Sequence, residues 1–133
     1  MNCVFCEEIK PYDCIFETNF FKAVFDIDPI QQGHILVMTK RHVKHIKELT
    51  PTEELELLTI QKRLVTLMER FLYVDGITIA INNGGIMDEG THFHIHFIPR
   101  YLNDGFWEHQ PLTQHQIKLD AFKLYAGKEM VRA

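Results

Sequence analysis

Histidines alternate with large apolar residues along one short segment, and this alternation limits the possible fold more than any other feature of the chain. His92, His94 and His96 are separated by single apolar residues, and the segment closes on Ile98. In a β-strand, successive side chains point to opposite faces, so three imidazoles would share one face above a continuous apolar surface. Same-face neighbours would lie ~6.5–7 Å apart, which suits two imidazoles acting on one group better than three binding one metal. A solvated histidine face and a two-histidine metal site are the alternatives, and the clean alternation favours histidine chemistry over a solvated face.

Strand signals recur along the rest of the chain. Strands are predicted over residues 14–17, 20–27, 34–38, 77–81 and 92–98. The first two, which flank Thr18-Asn19, predict a hairpin, and residues 34–38 are apolar throughout, as in a central strand with no face in water. Pro99 predicts that the last strand ends there or runs near a sheet edge, because proline cannot donate to a ladder.

One long helix and one weaker helix are predicted. Thr50-Pro51-Thr52-Glu53 combines a capping box with proline at the first helical position, and the helix should run to Tyr73 before Asp75-Gly76 stops it. Its expected core-facing stripe is Leu55, Leu58, Leu64, Leu67, Met68 and Phe71. Thr113 and Gln116 form a weak capping box ahead of a helix through Leu124.

Composition excludes several classes of protein. With 133 residues, 46% of them hydrophobic, and no linker or repeat, the chain is expected to form a single domain over residues 1–133. The formal net charge of −4 argues against non-specific electrostatic binding of nucleic acid. The longest aliphatic run, residues 35–38, is far shorter than the ~20 residues that span a bilayer, and the N-terminus does not resemble a signal peptide, so a cytoplasmic protein without membrane partners is expected.

The cysteines point to a second kind of chemistry. Cys3, Cys6 and Cys14 form an odd, closely spaced set, which fits a reducing compartment better than a disulfide framework. Cys3 and Cys6 make a C-x-x-C pair, which is either a redox pair or half of a zinc site that needs two further ligands. The context favours zinc, since a redox pair is expected between a strand and a helix.

Segments in a fixed order give the chain a resemblance to a known family. Residues 92–98 resemble the signature of the histidine triad nucleotide hydrolases and transferases, in which histidines alternate with hydrophobic residues. Also shared with bacterial members are Cys3-x-x-Cys6, Phe25-Asp26-Ile27-Asp28-Pro29, Gly33-His34-Ile35-Leu36-Val37, Lys40-Arg41-His42, Asn82-Asn83-Gly84 and Ile98-Pro99-Arg100-Tyr101. The resemblance implies an α+β fold with an antiparallel sheet, one long helix and short terminal helices, and it implies a homodimer.

The resemblance also implies a reaction. His94 matches a nucleophile that attacks an α-phosphorus, and a neutral imidazole is nucleophilic at physiological pH. The backbone carbonyl at His92 fixes its tautomer in the family, while His96 and His34 match residues that contact the phosphate and assist proton transfer. The expected activity is hydrolysis of a nucleoside phosphoramidate or a related purine nucleotide conjugate.

The family's binding residues transfer to matching positions. Asp26 would accept hydrogen bonds from the ribose hydroxyls, Ile27, Val4 and Phe5 would lie against the base, and Asn82 would sit near the phosphate or ribose. A turn residue at Asp26 and core packing of the three apolar residues are the alternatives. The implied structural zinc ligands are Cys3, Cys6, His42 and His92, with His45 as a substitute for His42.

The loop before the histidine motif departs from the family pattern. Many members carry glutamine and a serine or threonine there, whereas this chain has Asp88 and Glu89, with Thr91 able to supply a hydroxyl. Two carboxylates near a phosphate would favour a cationic leaving group. Cleavage of dinucleoside polyphosphates or adenylylated sulfate, a nucleotide sensor without turnover, and a small metal-binding protein are the rival functions.

Overall fold

The strands form an antiparallel sheet in the order β1-β2-β3-β5-β4. A computed structural model describes residues 2–109 and 111–131. The strands are β1 (Phe16–Glu17), β2 (Phe21–Phe25), β3 (Ile35–Thr39), β4 (Gly76–Ile81) and β5 (His94–Arg100). The α-helices are α1 (Val4–Glu7), α2 (Pro51–Phe71) and α3 (Leu119–Met130), with 3-10 turns at Pro11–Asp13, Ile46–Glu48 and Trp107–His109. The predicted α+β class, with one long helix and short terminal helices, is confirmed.

The central strand and the hairpin lie where the sequence places them. Every residue of β3 is buried, and β3 lies between β2 and β5, as its apolar run predicts. The hairpin strands are shorter than expected, because β1 pairs with β2 only at Phe16 and Glu17 and β2 ends at Phe25. Ile27 therefore lies beyond the sheet, in the connection between β2 and β3.

Helix α2 begins at the predicted cap and ends two residues early. Thr50 Oγ1 accepts the Glu53 backbone N–H at 3.1 Å, and the Glu53 carboxylate accepts the Thr50 N–H at 2.9 Å. The buried carboxylate also pairs with Arg41 at 2.9 Å, which keeps the pKa of Glu53 below its usual value. This pair ties the loop after β3 to the start of the helix.

The predicted stripe of α2 is only partly correct. Leu64 and Met68 are buried, together with Leu57 and Ile60, which the stripe omitted. Predicted core residues that are exposed instead are Leu55, Leu58, Leu67 and Phe71. The buried positions follow spacings of three and four and make one line along the helix, whereas Leu58 is rotated about 100° from Leu57 at 100° per residue. This line packs on the sheet face that carries Ile95 and Phe97.

The bounds of β5 differ from those of the predicted strand, whereas β4 agrees with its prediction to within one residue. The strand predicted from residue 92 begins at His94, because the Phe93 N–H bonds to the Val43 carbonyl at 2.7 Å and so leaves the ladder. Pro99 does not end β5. Pro99 pairs with Ile77 of β4 and lies beyond Phe97, the last β5 residue that pairs with β3. The N–H that proline lacks therefore falls where β5 has β4, but no longer β3, as a neighbour.

The C-terminal helix lies further along the chain than the weak capping box indicates. Residues 111–118 have no regular structure, and α3 runs past Leu124 to Met130. Asp120 in its first turn and Lys128 in its last turn complement the helix dipole, whereas Thr113 caps nothing. Across the described residues, every helix is too short or too polar to traverse a lipid bilayer.

Candidate active site and metal centre

The two faces of β5 carry different chemistry. Ile95 and Phe97 point into the core beneath α2, so His94 and His96 point to the opposite face. There the N-terminal segment covers the sheet through Cys3 and Phe5, which pack with apolar residues of β2 and β3. The imidazoles of His94 and His96 therefore lie between the sheet and the first residues of the chain.

His94 is held in one orientation. Its Nδ1 lies 2.7 Å from the backbone carbonyl of His92, and a carbonyl can only accept a hydrogen bond. Nδ1 must therefore carry the proton, which leaves the lone pair on Nε2. The Phe5 ring contacts the His94 ring edge to face, with centroids 4.9 Å apart, so the ring cannot swing toward the N-terminal segment.

His96 and His34 are joined across the sheet. His34 precedes β3, and its Nε2 lies 2.9 Å from Nδ1 of His96. A carboxylate oxygen of Asp26 is 3.6 Å from the same Nε2. The His96 Nε2 is buried and contacts no hydrogen-bonding partner within residues 2–109 and 111–131. Since it lies on the same face as the His94 ring, 4.9 Å away between centroids, it is available to a ligand held there.

Both joined imidazoles are neutral at physiological pH. Burial lowers the pKa of His34, and the Asp26 carboxylate opposes this only in part. Burial and then the neighbouring His94 and His34 lower the pKa of His96 to about 4, against the weaker opposing effect of Asp26 and Asp88. Neutral rings have one donor nitrogen and one acceptor nitrogen, so every hydrogen bond here assigns a proton.

The predicted nucleotide contacts are distributed around this face. The side chain of Ile27 is fully exposed and Val4 is partly exposed, so both offer apolar surface. Asp26 accepts the backbone N–H of Asp28 at 2.9 Å with one oxygen and points the other toward His34. Phe5 is only 4% exposed and packs on His94, so most of its ring is already covered by the protein.

The asparagine turn contacts the loop after β3 through Asn83, a residue that the sequence pattern did not single out. Asn83, rather than Asn82, bonds to the loop after β3, since its Oδ1 accepts the Ile46 N–H at 2.8 Å and its Nδ2 lies 2.7 Å from His45 Nε2. Asn82 is half-buried at the end of β4. Because Asn82 and Asn83 are identical residues in the same turn, the sequence does not indicate which of them makes these contacts.

Cys3, Cys6, His42 and His92 form a second cluster beside the first. One ligand atom from each lies within 4.8 Å of the others. The Cys3 Sγ is 3.3 Å from His92 Nδ1, and the Cys6 Sγ is 3.3 Å from His42 Nδ1. Bond lengths of ~2.3 Å to sulfur and ~2.05 Å to nitrogen put tetrahedral ligands ~3.5 Å apart, so the spacing fits zinc.

The protonation of this cluster also fits a metal. His92 Nε2 donates to the Thr39 carbonyl at 2.6 Å, which leaves a lone pair on the Nδ1 that faces the cysteines. Burial and then Cys3 raise the pKa of the Cys6 thiol, against a weaker opposing effect of Lys22, so a metal would have to displace its proton. His45 faces Asn83 instead, so the geometry selects His42 over its predicted substitute.

The acidic loop before His92 is exposed. Asp88 and Glu89 both have solvent-exposed side chains, while Thr91 Oγ1 donates to the Asp88 carbonyl at 2.6 Å. The Thr91 carbonyl in turn accepts from Lys44 Nζ at 2.9 Å. The Thr91 hydroxyl proton is thus used within the loop.

The architecture is α+β, and the candidate active site consists of paired imidazoles on one face of a five-stranded sheet. A Cys₂His₂ cluster lies next to them. These features together define the class of protein. The model of the HIT domain, named for the histidine triad, matches residues 7–103. The chain belongs to the HIT domain family.

Relatives in this family carry several activities. A HIT-like protein of Methanocaldococcus jannaschii is 35% identical over 77% of this chain and 82% of its own length. An adenylylsulfatase of Arabidopsis thaliana is 28% identical over 90% of the chain, and a bis(5'-adenosyl)-triphosphatase of Dictyostelium discoideum is 36% identical over 69%. The matched part spans only 62% of each of these two enzymes.

Solved structures agree with the fold. A HIT family protein from Bacillus anthracis superposes with a TM-score of 0.75 at 27% identity, over 99% of this chain and 97% of that one. A zinc-bound histidine triad family protein from Mycobacterium smegmatis has a TM-score of 0.67 at 27% identity, over 92% and 88% of the two chains.

Proposed function

We propose that this protein is a nucleotide hydrolase that cleaves nucleoside phosphoramidates or related conjugates at the α-phosphate through a nucleotidyl-His94 intermediate. The hydrogen bond between His94 Nδ1 and the His92 carbonyl carries the proposal, because it leaves a lone pair on Nε2. Family membership and the adenylylsulfatase and triphosphatase relatives support action on nucleotides.

The reaction proceeds in two displacements. His94 Nε2 forms a bond to the α-phosphorus, the bond to the leaving group breaks, and the leaving group departs with its electron pair and takes up a proton. Water then attacks the same phosphorus, loses a proton that replaces the one taken up by the leaving group, releases the nucleoside monophosphate and returns the electron pair to Nε2. His96, on the same face, contacts the phosphoryl oxygens with its Nε2, for which the described residues supply no partner.

The nucleoside is a purine ribonucleoside held by the residues around the imidazoles. Asp26 binds the ribose hydroxyls, Ile27 and Val4 lie against the base, the uncovered edge of Phe5 closes the pocket, and Asn82 lies near the phosphate. The position of Ile27 directly after Asp26 supports this assignment, since its exposed side chain leaves apolar surface available to a base beside the ribose-binding carboxylate.

The leaving group is proposed to be a basic amine. Asp88 and Glu89 are exposed on the loop that leads into His92, and the Asp88 charge reaches His96. A cationic group is attracted there and a second polyphosphate arm is repelled. Cleavage of dinucleoside polyphosphates is the second candidate, favoured by the triphosphatase relative.

Removing the two carboxylates should change substrate preference. We expect native kcat/KM to be higher for an adenosine phosphoramidate of a basic amine than for diadenosine polyphosphates. Asp88→Gln/Glu89→Ser should shift the ratio toward polyphosphates by about two- to fivefold, because an exposed charge contributes about 0.2–1 kcal/mol. Glu54→Gln/Glu69→Gln on α2 is the control. A native preference for polyphosphates, or an unchanged ratio, would contradict selection by these carboxylates.

The Cys3, Cys6, His42 and His92 cluster is proposed to hold structural zinc, as in the bacterial zinc-binding type of the family. The zinc-bound mycobacterial neighbour and the tetrahedral spacing of the ligand atoms support this assignment. Zinc would join the N-terminal segment to the loops around His42 and His92. A cytoplasmic location is proposed with it, because Cys3, Cys6 and Cys14 form an odd, closely spaced set that suits a reducing compartment better than a disulfide framework.

The chain is also proposed to act as one domain and to form a homodimer through β4. This strand is outermost in the sheet of the described residues, so one side of its backbone has no strand partner. Ile79 and Ile81 are 40% and 36% exposed on the face that carries the core. An exposed apolar edge strand is suited to pairing with a second copy.

A charge on this edge should separate the two copies. We expect Ile81→Lys to lower the sedimentation-equilibrium mass to that of one chain, because a lysine at the edge opposes strand pairing. Tyr12→Lys, at an 86% exposed position ahead of β1 on the other sheet edge, should not change the mass. A dimer that survives Ile81→Lys at micromolar concentration would rule out the β4 interface.

A further inference from the structure

Asp26, His34 and His96 form a cluster in which one ligand atom from each lies within 4.8 Å of the others. We propose that His34 is a positioning residue, which neither touches the substrate nor binds a metal and which fixes His96 as the tautomer with its proton on Nε2. The role of that proton in turnover rests on the proposed function. The tautomer itself follows from hydrogen bonds in the free protein.

The first step is the protonation of His34. The backbone N–H of Ile30 lies 3.1 Å from His34 Nδ1 and can only donate. Nδ1 must therefore accept, and the single proton of the neutral ring is on Nε2. A main-chain group in the β2–β3 connection thus sets the tautomer of a buried side chain.

The second step is the protonation of His96, which follows from the tautomer of His34. His34 Nε2 carries a proton and lies 2.9 Å from His96 Nδ1, so it donates and His96 Nδ1 accepts. The proton of His96 is then on Nε2, the buried atom for which residues 2–109 and 111–131 supply no partner. His94 has the opposite tautomer, with its proton on Nδ1. Neighbouring imidazoles on β5 therefore present a lone pair and an N–H to the same ligand.

The same protons exclude a metal from this cluster. A cation bound to His34 Nε2 would force the ring proton onto Nδ1, where it would face the Ile30 N–H. In the cysteine cluster the outer nitrogen of His92 donates to the Thr39 carbonyl, which frees Nδ1 for a metal. The Ile30 N–H thus rules out a metal in the cluster of Asp26, His34 and His96. The Thr39 carbonyl leaves the cysteine cluster able to bind one.

Burial explains why His34 acts through His96. His34 is 2% exposed and both of its ring nitrogens are already bonded, so no atom is free for a phosphate. Asp26 Oδ2, 3.6 Å from His34 Nε2, favours a proton at that nitrogen. The Nε2–H of His96 is then aimed at the phosphoryl oxygens, where a fixed donor stabilises developing negative charge.

Nuclear magnetic resonance of the ring nitrogens tests the tautomers directly. Long-range ¹H–¹⁵N spectra of the ligand-free, zinc-loaded protein at pH 7.5 should show His34 and His96 protonated on Nε2 and His94 on Nδ1. A His96 proton on Nδ1 would overturn the proposal. This measurement does not depend on turnover, so it stands even if no nucleotidyl-His94 forms, an outcome that would count against the proposed function alone.

Two substitutions then separate positioning from contact. His34→Leu removes the donor and should lower kcat for an adenosine phosphoramidate by about 10- to 10²-fold, with KM changed less than threefold and the His96 tautomers mixed. His34→Gln places an amide N–H near the lost Nε2 and should recover part of kcat and the His96 Nε2–H signal. A rise in KM without loss of the tautomer would show direct substrate contact. A second zinc equivalent that is lost in His34→Leu would show a metal site. Either result overturns the proposal.

Discussion

Turnover should fall by at least ~10³-fold in His94→Ala, while the nucleoside monophosphate still binds within about tenfold of its native affinity. The substitution removes the Nε2 lone pair and the covalent route, but it leaves Asp26, Ile27 and the β5 backbone in place. Release of nucleoside monophosphate from an adenosine phosphoramidate gives the rate, and calorimetric titration with the monophosphate gives the affinity.

A matched control and a trapping experiment make this result specific. His115→Ala, at an exposed histidine in the irregular segment before α3, should turn over at the native rate. Quenching of the native protein with substrate in denaturant at alkaline pH should trap a nucleotide on His94, identified by mass spectrometry, because the P–N bond to imidazole is hydrolysed in acid but survives in base. Near-native turnover in His94→Ala would refute the nucleophile. A native protein that binds nucleotide without any turnover would instead establish the sensor alternative.

Loss of a cysteine ligand should have the largest effect on stability. Cys3→Ser or Cys6→Ser should lower the free energy of unfolding by about 4 kcal/mol or more and the Tm by roughly 10 °C or more, because metal binding is part of the folding free energy. The N-terminal segment is otherwise held by few polar contacts, such as Val4 N–H to the Gly90 carbonyl at 2.7 Å. Thermal unfolding with elemental analysis of chelator-free protein measures both quantities.

The chain supplies controls for each ligand type. Cys14→Ser changes a free cysteine outside the cluster and should keep one zinc per chain and a near-native Tm. His42→Ala should lose zinc, whereas His45→Ala should keep it, because His45 bonds to Asn83. Native protein without zinc, or zinc retained in His42→Ala, would contradict the assigned set. Residual kcat in the folded fraction of Cys3→Ser should remain substantial if the metal is structural.

Local sequence determined the elements whose signals are short in range. Thr50, Pro51 and Glu53 determine the start of α2, since the capping bonds join residues only three apart. The apolar run of β3 required a strand covered on both faces, and the alternation through Phe97 required one face of β5 in the core. Period and capping carry this information without reference to the rest of the chain.

Tertiary packing decided which face each element shows and where each proton lies. The rotation of α2 buried Leu57 and Ile60 in place of Leu55 and Leu58, since a helix carrying leucine on several sides can dock in more than one orientation. His92 lies outside β5 because the Phe93 N–H bonds to the Val43 carbonyl. This contact joins segments that are distant in the sequence, so no local pattern encodes it.

The candidate site divides in the same way. The histidine and cysteine motifs, together with a family resemblance, named His94, His96 and the zinc ligands, because the residue types that the chemistry needs are visible in the sequence. The sequence could not show that Ile30 donates to His34, that His92 bonds to Thr39, or that Asn83 holds His45. The contacts at His92 and His45 join atoms of segments that are distant in the sequence and meet only in the folded protein, and the contacts at His34 and His92 determine which nitrogen of each of these two imidazoles carries the proton.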